Sequence, residues 1–95
     1  MKLQFRTAAS ADMRRVARET RLRWGEEQAA IYTDTLRQDI KSLLVYPLRY
    51  PEYTPSPGLR RMNCGKHAVF YLVGENQIEV IRVLHAASDF ESLLT

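Results

Sequence analysis

From Lys2 to Arg6 polar and apolar residues alternate, with Leu3 and Phe5 on one side, which predicts a short strand with one buried face. Thr7 or Ser10 then offers an N-cap, and Asp12 falls in the first turns of the helix that follows, where the helix dipole favours negative charge. Met13, Val16, Ala17, Thr20 and Trp24 recur at helical spacing and form one apolar stripe. That stripe predicts Trp24 as a core residue or as the lock of a helical hairpin. Arg14, Arg15, Arg18 and Arg21 lie on the other side and are expected in solvent, and Gly25 suits a C-cap.

Glu26 and Glu27 begin a second helix, whose stripe is Ala29, Tyr32, Leu36, Ile40 and Leu43 and whose end is set by Pro47. The short connection predicts an antiparallel hairpin of helices. Between Leu48 and Gly58, Pro51, Pro55 and Pro57 exclude both a helix and a regular ladder. Three strand-like runs follow, Leu59 to Asn63, His67 to Val73 and Ile78 to His85, the last two joined as a hairpin by the turn residues 74–77.

These elements predict an α+β fold in one domain over residues 1–95: an N-terminal strand, a helical hairpin packed on a small antiparallel β-sheet, and a short C-terminal segment. Strict alternation puts Ile78, Val80, Arg82 and Leu84 on one face of the last strand and Glu79, Ile81, Val83 and His85 on the other. Both faces are then apolar, while the helices cover one. Two readings of the second face stay open: a protein partner covers it, or the tail with Phe90, Leu93 and Leu94 folds back over it.

Charge sharpens the picture more than composition does. Residues 1–25 carry a net +5 and residues 60–85 a net +2, around an acidic middle of −2 and before an acidic tail of −2. Two basic regions favour an acidic partner, protein or nucleic acid. The longest apolar run, Ala68 to Val73, is too short to span a bilayer, and Lys2, Gln4 and Arg6 interrupt any secretory h-region. With Cys64 as the one cysteine, no internal disulfide can form, which suits a reducing, cytoplasmic setting.

Little in the sequence points to cofactor chemistry. His67, His85 and Cys64 are too few and too badly spaced for a structural zinc site, and Gly65-Lys66 lacks the rest of a phosphate-binding loop. No metal and no cofactor are therefore expected. The strands do carry Arg60, Arg61, Lys66, His67, Arg82 and His85, which could grip phosphate and move a proton. Edge-strand Arg60 and Lys66 more simply keep the sheet soluble. Arg82 sits amid Ile78, Val80 and Leu84, so it either meets a carboxylate or marks a functional surface. The arginines of the first helix either grip an acidic partner segment or form a solvated face.

Several stretches together resemble ParE-type toxins of the ParE/RelE superfamily. Arg23-Trp24-Gly25-Glu26 with Gln28, Ala29 and Tyr32 is similar to the junction of their helices. Gly58-Leu59-Arg60-Arg61 followed by Gly65, His67, Phe70 and Tyr71 resembles their second and third strands, and Val80 to His85 with Asp89 their last strand and tail. The resemblance implies a RelE-like fold, a ParD-like antitoxin that wraps the toxin, and DNA gyrase as the target. RelE relatives instead cleave messenger RNA on the ribosome, a role that here would fall to Arg61, Arg82 and His85. The residues after His85 offer no Tyr, Lys or Arg, and residues 53–58 have no basic side chain, so the pattern leans to gyrase inhibition without catalysis. An inactive antitoxin-binding module is a third reading.

Under the resemblance, Arg14, Arg15, Arg18, Arg60, Arg61, Arg82 and Phe90 are candidates for contact with target or antitoxin. No membrane contact is expected, and direct nucleic-acid binding is left open. The chain departs from the ParE pattern in two places. The first helix bears Arg14, Arg15 and Arg18 where it is usually acidic or mixed, and Leu72 stands where an arginine commonly follows the Phe-Tyr pair.

Overall fold

A computed structural model describes residues 1–94. Strand β1 (Lys2–Phe5) leads into helix α1 (Thr7–Trp24), and helix α2 (Glu26–Ser42) returns antiparallel to it. The remaining elements are β2 (Arg60–Cys64), β3 (His67–Val73), β4 (Gln77–His85) and a final short helix α3 (Phe90–Leu94). Gly25 makes the helical turn possible: at φ 91° it caps α1 by donating its N–H to Arg21 and opens α2 by accepting from Ala29. Neither Thr7 nor Ser10 caps α1. The helix begins at Thr7, so Arg6 takes the N-cap position without a side-chain bond, and Asp12 lies beyond the first turn.

The sheet has the order β1-β4-β3-β2. β2, β3 and β4 pair antiparallel as expected, but β1 runs parallel to β4, so the sheet is mixed. The reason is the connection: β1 reaches β4 only across the whole chain, and no hairpin constrains its direction.

One irregularity reorganises the faces. Phe70 pairs with Arg82 while Tyr71 pairs with Val80, which leaves Ile81 as an extra residue, a β-bulge in β4. Because side chains alternate with period two, the bulge reverses the phase of the strand beyond it. Ile78, Val80 and Val83 consequently all join the core under the helices, with Met13, Val16, Leu36, Ile40, Met62, Val69 and Tyr71. Leu84 joins the opposite face with Ala68, Phe70 and Ile81. Strict alternation had grouped Leu84 with Ile78 and Val80 and had put Val83 opposite them, and the bulge corrects both.

The second face is covered from within. Phe90 and Leu94 of α3, together with Tyr53 from the proline-rich segment, pack on Phe70, Leu84 and Leu59. Phe90 meets Phe70 edge to face at 5.0 Å and Tyr53 at 6.2 Å. Asp89 bonds Ser92 at the start of α3, and Arg82 donates to the carbonyl of Leu93 at 3.1 Å. Of the two open readings, the folded-back tail is the one realised.

Candidate partner-binding groove

After Val16 no residue of α1 is fully buried, because the helix outruns the core beneath it. Its last turns instead form one wall of a groove of about 850 Å³, with Tyr32 of α2 at the back and Gly65, Lys66, His67 and His85 from the strand ends opposite. Trp24 is 60% exposed and Leu22 79%, in the groove wall. The stripe reading of Trp24 as a core residue is thus corrected: its helical phase is right, but the sheet does not extend beneath it. Leu22 carried a signal of its own, an apolar residue four positions beyond Arg18 on the basic side of the helix.

Behind the groove lies an ordered polar pair. The hydroxyl of Tyr32 shares a hydrogen bond with His67 Nδ1 at 2.6 Å and accepts the Lys66 backbone N–H at 3.0 Å. Burial pushes the His67 imidazole below its ordinary pKa, and the charge of nearby His85, whose ring lies 5.6 Å away, pushes it further down. The two histidines and tyrosine can hold a wall in place. A third metal ligand is missing: among the described residues no cluster of three His, Cys, Asp or Glu forms.

The turn before His67 depends on Gly65. It has φ 57°, and a Cβ there would stand 2.8 Å from the Tyr32 hydroxyl. Gly65→Ala is expected to destabilise the fold by about 1–3 kcal/mol through strain and loss of the Tyr32–His67 contact, measured by urea denaturation. A variant as stable as the parent would show that the turn tolerates a side chain.

The other expected site residues are dispersed. Arg14 and Arg18 are exposed on α1, and Arg15 is half-buried, paired with Asp12 at 2.8 Å and with Glu19 at 3.8 Å. Arg15 therefore departs from the expected solvent face, drawn in by the buried carboxylate. Arg60 donates to the Tyr50 carbonyl at 2.6 Å, and Arg61 bonds Asn63 and lies over the Phe90 ring at 4.7 Å. Arg82 meets a carboxylate: its Nε is 2.7 Å from Asp12 Oδ2 and its terminal nitrogen 3.0 Å from Oδ1. His85 is exposed, lines the groove and accepts the Ala87 N–H on Nδ1. Arg61, Arg82 and His85 thus share no cleft.

Cys64 is buried and donates to Asp39 at 2.9 Å. Burial and the adjacent carboxylate push its thiol up to about 12, which leaves it protonated and unreactive at neutral pH.

Residues 3–90 match the family described as ParE toxin of type II toxin–antitoxin system, parDE. Toxin ParE1 of Caulobacter vibrioides is 40% identical over 78 residues, spanning 81% of this chain and 80% of that protein. Toxin ParE1 of Mycobacterium tuberculosis is 36% identical over 87 residues, 88% of each. Among solved structures, the chromosomal ParDE TA system from P. aeruginosa superposes with a TM-score of 0.78 over 90% of this chain and 95% of the other, at 19% identity, a likeness of fold. The family match, the two relatives and the shared fold agree, and the chain belongs to the ParE toxins of type II toxin–antitoxin systems.

Proposed function

We propose that this ParE toxin arrests growth by binding DNA gyrase without catalysing a reaction, and that a ParD-like antitoxin neutralises it by seating an apolar segment in the groove of Trp24 and Leu22. The observation that carries this reading is the contrast between the two kinds of site. Arg82 pairs with Asp12 and Arg61 lies on Phe90, while His85 stands in the groove without either, so the side chains a ribonuclease would need do not converge on one site. What remains open is exposed apolar surface, at Leu22 and Trp24 among other places, which suits holding a protein. The likeness of fold to the ParDE system of P. aeruginosa supports an antitoxin of the ParD kind. We read the chain as one domain acting in the cytoplasm, where gyrase is found; no helix among the described residues is long and apolar enough to cross a membrane.

The deciding experiment is a gyrase supercoiling and cleavage assay with purified toxin, with and without antitoxin. The expected result is inhibition with trapped cleaved DNA, relieved by antitoxin. Normal supercoiling in excess folded toxin, together with specific cleavage of RNA on ribosomes, would replace this reading with the RelE-like one. An inactive binding module would arrest nothing on induction.

A further inference from the structure

We infer that the turn following α2, built on Val45, Tyr46 and Leu48, is the surface by which the toxin grips its target, and that it fits a protein pocket with an acidic rim. The inference rests on the toxin reading above and adds the face that reaches the target.

The run from Leu43 to Leu48 is apolar apart from the tyrosine hydroxyl, yet it faces two ways. Leu43 is fully buried, whereas Val45 is 68%, Tyr46 60% and Leu48 64% exposed. Three large apolar side chains within four residues point into solvent, at a cost that a free-standing chain has no folding reason to bear.

The turn is also held from behind. The buried Tyr71 hydroxyl donates to the Pro47 carbonyl at 3.1 Å, and Arg60 donates to the Tyr50 carbonyl at 2.6 Å. Val45 and Tyr46 both donate their N–H groups to Ser42, and Arg49 donates to Tyr46. The display is therefore preorganised, and ordering it on binding costs little. A fixed shape matches a complementary protein pocket; a fluid bilayer requires none.

Charge names the chemistry of the pocket. Arg37 and Lys41 stand at successive four-residue steps ahead of Val45, and Arg49 follows Leu48. All three are exposed, and among the described residues none is ion-paired. The nearby acid Asp39 is turned inward to Cys64. An apolar centre with a cationic border complements an apolar pocket bordered by carboxylates. On a phosphate backbone only the cationic border would find partners and the apolar centre of Val45 and Leu48 would stay unused, which disfavours nucleic acid.

Trp24 and the turn lie at opposite ends of α2, about 25 Å apart along its axis, and Val45, Tyr46 and Leu48 do not line the groove, so the two surfaces can be separated by mutation. The test uses two full-length variants, one with Val45→Ser, Tyr46→Ser and Leu48→Ser, the other with Lys41→Glu and Arg49→Glu. Each is compared with the parent for growth arrest on induction, for affinity towards the cognate antitoxin, and for pelleting with vesicles of phosphatidylglycerol and phosphatidylethanolamine. Growth arrest should fall about 100-fold in surviving cells, with antitoxin affinity within about threefold of the parent. Full arrest by the charge-reversed pair overturns the inference even if the triple variant does not fold. So does a loss of antitoxin affinity in both, which assigns the turn to the antitoxin, or vesicle binding by the parent that the variants lose. A parent that arrests growth but leaves gyrase supercoiling intact refutes the gyrase reading alone, because growth arrest reports on the turn whichever protein is the target. A parent that arrests nothing overturns both.

Discussion

Asp12→Ala is expected to lower folding stability by about 3–5 kcal/mol, an effect that a small domain can barely withstand. Asp12 is 1% exposed and is the meeting point of three elements. Strand β1 pairs with β4 only as far as Val80, so further along the edge of β4 is open. Asp12 closes it: Oδ2 accepts the buried N–H of Val83 at 2.9 Å, as a neighbouring strand would. The same carboxylate takes two bonds from Arg82 and one from Arg15. Alanine leaves a buried N–H without a partner and a largely enclosed guanidinium without its counter-charge. It also loosens α3, whose Leu93 carbonyl is held by Arg82. The melting temperature should drop by about 15–25 °C. Asp12→Asn keeps an acceptor for Val83 while losing the charge and should cost about 2 kcal/mol. Equal stability of the parent and the alanine variant in a calorimetric scan would refute the account.

The same carboxylate sets the response to acid. Burial by itself would raise the Asp12 pKa, but the bonds from Arg82, the Val83 N–H and Arg15 outweigh it, and the folded value lies below the ordinary one. A depressed carboxylate contributes stability that is complete above its unfolded value of about 3.9 and is lost as pH falls through the folded value. His67 acts earlier: its folded pKa is also lowered, so the unfolded chain takes up the proton first and stability declines below about pH 6.5. Asp12→Asn should retain the first decline and lose most of the second.

These two residues show where the sequence was legible and where it was not. Periodicity reveals what a residue's own helix or strand will bury. The stripe of α2 was readable for that reason, and so were Met13 and Val16. The tail residue Phe90 was also readable, as one of two ways to cover an apolar face. Asp12 looked like a helix-dipole residue because its partners lie some seventy positions away, at Arg82 and Val83. The bulge at Ile81 leaves no local mark in an apolar run, yet it decides which face Val83 and Leu84 take. For Trp24 the helical phase holds and the core reading does not, since a stripe does not say where the sheet beneath it stops. The candidate site was read less well than the fold. His67 and His85 stand out in the sequence as chemistry-bearing residues rather than as part of a groove wall, and Leu22 lies outside the apolar stripe of its helix.

Trp24→Ala and Leu22→Ala should each leave the toxin folded and cost it most of its affinity for antitoxin. Neither side chain belongs to the buried core, and alanine is the strongest helix former, so the change in folding stability should stay within about 1 kcal/mol. Binding is another matter. Trp24 and Leu22 line the same groove as Val16 and Tyr32, and Lys66 lies 5.8 Å from the centre of the Trp24 ring. A partner segment entering there would remove both side chains from water, and a tryptophan at the centre of such a contact is the residue type that most often dominates its energy. The expected loss is about 2–4 kcal/mol for Trp24→Ala, or about 30- to 1,000-fold in Kd, and about 1–2 kcal/mol for Leu22→Ala. Isothermal titration with the antitoxin measures both. In cells the consequence has a distinctive sign: the variants should arrest growth even when antitoxin is co-expressed, since neutralisation is lost while the turn at Val45 to Leu48 is untouched. Wild-type affinity in Trp24→Ala would remove the groove from the antitoxin interface and leave its exposed tryptophan to the target.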